Sequence, residues 1–329
     1  MKKIFVLISL SSVTVWAKPC VENRAALDLG SGTTKAYVAT VDTCEKKIVK
    51  VIFEERLPLA FNEALEKSPD GTLPEKTVQE ATPRIQALLG KVRTYDVKRI
   101  TAVATSVFRV AKNGRAVAQR LARDLQVPVE VISQEQEAEL GYWSALAQKN
   151  ISDTRNLIVW DIGGGSMQMY SRDKGKVHIY EGDLASVTFK NKILQVLQFK
   201  DPKDHSSPNP IGRQREASLQ LAKNHAYLNV PEFFKKMAPT ARWVGVGGVI
   251  SLSVQRQVNK DASEFTQAEL SDVLKKRVWL NDAEINSDYR ISDISNLALV
   301  LGYMQALKVE KVETAQASLG QGLIFKNLK

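Results

Sequence analysis

Two stretches of the 329-residue chain repeat one another. L-D-L-G-S-G-T-T-K-A-Y at residues 27–37 lies without gaps over W-D-I-G-G-G-S-M-Q-M-Y at residues 160–170. An Asp, two Gly, a hydroxyl residue and the closing Tyr coincide. Each copy reads as an apolar strand ending in Asp, a glycine-rich turn and a second strand. A repeat of this kind implies duplication of a whole unit. Mixed strands and helices follow each copy, so the expectation is two α/β lobes. A length of 329 residues with 44% hydrophobic content suffices for a core in each.

In the first half, strands are expected at 24–29, 35–41, 48–55, 99–104 and 129–132, with helices at 75–92, 107–124 and 135–147. The polar segment 149–155 reads as the connection between lobes. Strands restart at 156–161, 166–171 and 176–180. A Pro-, Ser- and Asn-rich stretch at 200–215 reads as a surface loop.

The chemistry of the repeat is that of anion binding. Glycines let successive backbone N–H groups converge on one point, and such nests hold phosphate oxygens. In the first loop the candidates are Ser31, Gly32 and Thr33, with Thr34 beside them; in the second they are Gly163, Gly164, Gly165 and Ser166. Asp28 and Asp161, at the strand ends, are placed to hold a metal ion or to orient a water. One such loop is weak evidence; two in register are much stronger.

Further motifs occur in order. A-T-S-V-F-R-V-A-K-N-G (104–114) resembles a Thr-x-x-x-Arg segment followed by Asn. V-I-S-Q-E-Q-E-A-E-L (131–140) resembles Ile-Ser-Gly-x-Glu-Glu-Ala-Arg-Leu, and V-G-V-G-G-V-I (244–250) resembles a Gly-x-Gly-Gly-Thr-Ile loop. Together with the paired loops, these resemble the exopolyphosphatase and guanosine-pentaphosphate phosphatase (Ppx/GppA) family of the actin–Hsp70–sugar-kinase superfamily. The resemblance covers nearly all of the chain beyond its leader.

It implies an α/β fold of two duplicated ribonuclease-H-like, actin-like lobes around a central cleft. The lobes would span 18–148 and 149–329, after a leader at 1–17. It also implies a phosphohydrolase cleaving phosphoanhydride bonds, polyphosphate foremost. Glu137 matches the general base that activates water, and Arg109 an arginine that clamps phosphate. Gly247 and Gly248 match a third phosphate-binding loop, and Asp28 and Asp161 the ligands of a divalent cation, Mg²⁺. Each role suits phosphoryl transfer, which needs an oriented water and neutralised charge. Without the motif, Glu137 reads equally well as a helix-surface carboxylate and Arg109 as a structural ion-pair partner. Family members often dimerise, so a homodimer is left open; no specific nucleic-acid partner is implied.

The chain departs from the pattern at several points. Gln168 stands where the family has a cation-binding Glu, and magnesium prefers carboxylate or phosphate oxygens. Gln136 replaces the first Glu of the Glu-Glu pair, Glu139 an Arg, and Val249 a Thr. A-S-L-G-Q-G-L (317–323) replaces Gly-Leu-Arg-Glu-Gly. Gly32-Thr33-Thr34-Lys35 is closer to the loops of superfamily ATPases, and strand alternation leaves Lys35 equally able to face a phosphate or solvent. These losses raise an alternative: a non-catalytic polyphosphate- or polyanion-binding member with a degraded metal site.

The N-terminus reads as a secretory leader: Lys2 and Lys3, then an apolar run from Ile4 to Val15, then Val15-Trp16-Ala17 as a cleavage context. The run is too short to span a bilayer. The expected location is therefore periplasmic or secreted, where ATP and guanosine pentaphosphate are poor substrate candidates. The two cysteines, Cys20 and Cys44, face one another if the first hairpin turns about Gly32, and an oxidising compartment would keep them as a disulfide. The net charge of +10 favours an anionic ligand only weakly. His178, His205 and His225 have no metal-ligand spacing and are expected at the surface or in loops. Tyr142 and Trp143 are expected in the core.

Overall fold

The computed structural model describes residues 20–149, 151, 153–316 and 318–328. The expected leader lies outside the described residues. The first sheet has five strands in the order β3-β2-β1-β4-β5. These are β1 (Val21–Leu29), β2 (Thr33–Asp42), β3 (Lys47–Pro58), β4 (Val97–Ala104) and β5 (Val129–Val131). The first three are antiparallel neighbours, and β4 and β5 join in parallel. Between them run α1 (Phe61–Glu66), α2 (Glu75–Arg93), α3 (Ser106–Val110) and α4 (Gly114–Leu125). α5 (Gln134–Lys149) then leads to the second half.

The second sheet repeats the plan with one added strand, in the order β10-β11-β9-β6-β7-β8. β6 (Leu157–Ile162), β7 (Met167–Asp173) and β8 (Lys176–Gly182) are antiparallel; β9 (Arg242–Val246) and β11 (Lys311–Thr314) are parallel additions; β10 (Glu264–Thr266) caps the edge. Its helices are α6 (Ser186–Lys192), α7 (Arg215–Asn229), α8 (Glu232–Met237), α9 (Gln255–Asn259), α10 (Gln267–Arg277), α11 (Arg290–Leu307) and α12 (Leu319–Lys326). The shared strand order bears out the duplicated α/β halves expected from the repeat and the ribonuclease-H-like plan that the resemblance implies.

Strand alternation divides each sheet into two faces. In the first, Ala25, Leu27 and Leu29 point at α2 and α4, whereas Ala26, Tyr37 and Ala39 pack with Leu140 of α5 and with Leu319, Leu323 and Ile324 of α12. In the second, Trp160 and Ile162 join the large core under α7 and α11. Leu157, Val159 and Tyr170 instead meet Ala138, Tyr142 and Ala145 of α5. α5 is therefore shared between the sheets, and this positions the site. α12 approaches α5 so closely that a β-carbon on Gly322 would stand 2.0 Å from the Leu140 carbonyl oxygen. Only glycine permits that contact.

Three local expectations are corrected. The helix expected over 107–124 is two helices, α3 and α4. The chain turns at Ala111–Asn113, where the Asn113 amide exchanges hydrogen bonds of 2.8 and 2.9 Å with the Leu73 backbone. The hairpin register differs by one residue: Val21 faces Asp42 and Asp28 faces Lys35, because the Gly30 N–H to Thr33 C=O bond (3.2 Å) closes the turn across Ser31 and Gly32. Cys20 and Cys44 are nevertheless bonded, with Cα atoms 5.4 Å apart; Cys44 reaches Cys20 from the turn beyond β2. His225 is neither exposed nor in a loop. It lies on α7, with Nδ1 2.7 Å from the Tyr303 hydroxyl and Nε2 3.3 Å from Asp183. Tyr142 is buried as expected, its ring 4.7 Å from that of Tyr170.

Candidate functional site

The two glycine loops are built alike. The Gly30 N–H donates to the Thr33 carbonyl, and the Gly163 N–H to the Ser166 carbonyl (2.9 Å). In the first loop the carbonyls of Ser31 and Gly32 accept from the amides of Asn62 and Leu59, where α1 begins (3.0 Å each). In the second, the carbonyls of Gly163 and Gly164 accept from Ser186 and Val187, at the start of α6 (3.2 and 2.8 Å). In a planar trans peptide the N–H points opposite the C=O. Fastening these carbonyls to the helices thus turns the amides of Gly32, Thr33, Gly164 and Gly165 the other way.

The loops also face one another. A β-carbon on Gly165 would stand 2.6 Å from Ser106 Oγ and 3.7 Å from Ser31 Oγ. The Ser31 hydroxyl accepts from the Val107 N–H at 3.2 Å. Asn62, which carries no motif and was not anticipated, bridges the loops from α1. Its Oδ1 is 3.7 Å from a β-carbon built on Gly32, and its Nδ2 3.8 Å from one built on Gly164.

Below the loops, the register sets Asp28 opposite Lys35 on β1 and β2, and Asp161 opposite Gln168 on β6 and β7. Cross-strand partners share a face, and in both sheets this is the face toward α5. Glu137, in the first turn of α5, is near enough to both aspartates for their charges to act on it. All three carboxylates are buried. Lys35 faces inward rather than to solvent, with Nζ 3.4 Å from Asp28 Oδ2. Gln168 is buried, and neither of its amide atoms has a hydrogen-bond partner among the described residues.

Arg109, at the end of α3, donates to the Ile132 carbonyl at 3.1 Å, and its Nη2 lies 2.7 Å from Glu137 Oε2. The two residues matched to base and phosphate clamp are thus paired with each other. Burial pushes the Glu137 carboxyl up to about 7, against the pull of Arg109 and with the help of Asp161 and Asp28. Burial also pushes Asp161 up to about 6, opposed by Lys35 and reinforced by Asp28. Asp28 is raised by burial against the pull of Lys35 and Arg56.

The third loop closes the floor. Gly247 has φ +83°, and a β-carbon there would meet Asp161 Oδ1 at 2.2 Å. Both backbone and space demand glycine, which lets the chain pass directly against the carboxylate. Gly248 follows, next to the Tyr289 hydroxyl. Glu139, expected to put a reversed charge near the base, points to the other side of α5. It accepts from Lys326 Nζ at 2.6 Å and from Trp143 Nε1 at 3.2 Å, anchoring α12.

A cavity of about 700 Å³ lies apart from this cluster, at the β8 edge, lined by Gln134, Glu135, Tyr180, Asp183 and His225 among others. The three carboxylates are buried, whereas the glycines of the loops around them are half-buried.

Two repeated sheets sharing α5, with paired glycine loops over buried aspartates, define a two-lobed protein of the actin-like ATPase fold. The chain belongs to the Ppx/GppA phosphatase family, whose family model matches residues 38–329. A guanosine-5'-triphosphate,3'-diphosphate pyrophosphatase of Vibrio vulnificus is 23% identical over 314 residues, which are 92% of this chain and 58% of that protein. The chain therefore spans little more than half the length of that relative. Among solved structures, the Aquifex aeolicus Ppx/GppA family member matches with a TM-score of 0.71 at 17% identity, covering 94% of this chain and 98% of that one. An exopolyphosphatase from Cytophaga hutchinsonii matches with a TM-score of 0.70 at 15% identity, covering 93% and 98%. At such identities the structural likeness shows the fold.

Proposed function

We propose that this protein is an exported phosphohydrolase that cleaves phosphoanhydride bonds, with polyphosphate as the substrate class and Glu137 as the base that activates water. The observation that carries this reading is the buried Glu137, paired with Arg109 at 2.7 Å and near enough to Asp161 and Asp28 to feel both charges, with its carboxyl at about 7. A base poised near neutral pH is half ionised where it works, and so can both take and give up a proton. The terminal phosphoryl group would lie on the amides of Gly32, Thr33, Gly164 and Gly165, with the third loop at Gly247–Gly248 beyond. Arg109 then exchanges Glu137 for phosphate oxygens, which its guanidinium binds in bidentate fashion. That exchange frees Glu137 to take a proton from water as the water attacks phosphorus and the shortened chain departs.

The magnesium ion expected from the resemblance fits this donor set poorly. Gln168 supplies no charge, Lys35 holds Asp28, and Arg109 holds Glu137. The Cys20–Cys44 bond supports placement in an oxidising compartment. Among the described residues no helix is long and apolar enough to cross a membrane.

The unpartnered Gln168 amide favours a second reading, in which the cleft binds polyphosphate without turning it over. Incubation with polyphosphate of defined length separates the two. Stepwise release of orthophosphate supports the hydrolase; a stable complex with no release supports the binding protein.

A further inference from the structure

Lys35 and Gln168 occupy equivalent places in the two halves of the molecule, each directly across from the aspartate that ends the first strand of its sheet. Both lie on the face toward α5, one carrying an ammonium and the other a neutral amide. Lys35 is drawn in, its side chain 19% exposed against 4% for its partner Asp28. Its charge is also the main influence favouring ionised Asp161, so it acts on both aspartates.

A divalent cation between these aspartates would meet three obstacles. It would sit against an ammonium. Its remaining protein donor would be the uncharged Gln168, whereas magnesium is held by carboxylates and substrate phosphates. It would also have to gather ligands that are not gathered. Among the described residues, the sole trio of His, Cys, Asp or Glu side chains with ligand atoms within 4.8 Å of one another is Cys20, Asp42 and Cys44, and its two sulfurs are bonded together. The charges point the same way. Asp28, Asp161 and Glu137 face Lys35 and Arg109, and Arg56 also acts on Asp28, so cations of the chain itself already offset the carboxylates.

We propose that Lys35 takes the place of the divalent cation, its ammonium binding substrate phosphate oxygens directly between Asp28 and Asp161, so that the cleft accepts polyphosphate without magnesium. A lysine ammonium is a point charge with three donors and a flexible stem, able to leave Asp28 for a more highly charged phosphate. This inference rests on the phosphohydrolase reading for its ligand, but not for its statement about metal.

The test uses Mn²⁺ and tripolyphosphate as probes on the wild-type chain and on Lys35→Met, a variant of similar shape without charge. The free manganese signal in electron paramagnetic resonance should show no stoichiometric site in the wild type and a new one in Lys35→Met. Calorimetric binding of tripolyphosphate in EDTA should weaken by about tenfold or more in Lys35→Met, and manganese should restore it in the variant alone. A stoichiometric manganese site in the wild type that Asp161→Asn removes would overturn the proposal, and that measurement stands even if Lys35→Met fails to fold. Equal tripolyphosphate binding by both proteins in EDTA would also overturn it, making Lys35 only a structural ion pair. Absence of tripolyphosphate binding in both, with and without metal, defeats the phosphohydrolase reading and the phosphate role of Lys35 together. A wild-type manganese site defeats the lysine replacement alone.

Discussion

Replacing Glu137 by glutamine should stabilise the protein at about pH 8, by an amount that varies with pH in a defined way. Burial is the main reason the carboxyl rises from the ordinary 4.5 to about 7, with Asp161 and Asp28 adding to it and Arg109 opposing. The folded state therefore holds this proton more tightly than the unfolded chain. Between these two values it binds more protons, so the contribution of Glu137 to stability is intact below 4.5 and is lost as pH rises through about 7. At ~1.4 kcal/mol per tenfold change in proton affinity, the loss is about 3 kcal/mol. Glutamine has no such proton to lose, and its Oε1 can still accept from Arg109. The advantage of Glu137→Gln over wild type should grow by about 3 kcal/mol from about pH 4.5 to about pH 8 and then level off. Asp28 and Asp161 are present in both proteins, so their titrations largely cancel. Urea unfolding followed by tryptophan fluorescence at four pH values measures the gap. A gap that is constant with pH, or that widens on acidification, refutes the reasoning that Glu137 is an acid destabilised by burial.

Other consequences follow from the same geometry. Phosphate release should rise with pH about a midpoint near about 7, and Arg109→Met should move that midpoint upward by about one pH unit, since it removes the cation that favours the ionised carboxylate; an unmoved midpoint in the pH–rate profile counts against the pairing. Gly247→Ala should cost about 1–3 kcal/mol, from the positive φ and the contact with Asp161, and should slow turnover by about 100-fold by displacing that carboxylate; wild-type kinetics would show that Asp161 tolerates the shift. Reduction of Cys20–Cys44, which closes a segment with a sequence separation of 24, should lower unfolding free energy by about 3 kcal/mol, read as the difference between denaturant melts with and without a thiol reductant.

The repeat at 27–37 and 160–170 carried most of what was legible, because the same strand–turn–strand unit must bury the same alternate residues in each half. It foretold the duplication, with a strand, a glycine loop and a second strand in each half; it did not give the position across from each aspartate, since the expected register sets Asp28 opposite Ala36 where the structure has Lys35. The exact register was less accessible. Whether the turn centres on Gly32 or between Ser31 and Gly32 depends on one backbone hydrogen bond, which composition does not specify. The break at Ala111–Asn113 depends on a distant partner, the Leu73 backbone. Lys35 could be placed only to within two faces until the register was known. Asn62 could not be found at all, because its role arises from where α1 begins relative to two loops far apart in sequence. Glu139 was misjudged because two residues along a helix from Glu137 is the opposite side of it; its partner Lys326 comes from the last helix.

The central claim is that Glu137 activates water in a cleft built from the two loops. Phosphate release from tripolyphosphate by wild type and Glu137→Gln, measured side by side at about pH 8, tests it most directly. The account predicts release by the wild type and a fall of at least ~100-fold in the variant, which remains folded and still binds tripolyphosphate. Turnover by Glu137→Gln at the wild-type rate would contradict it.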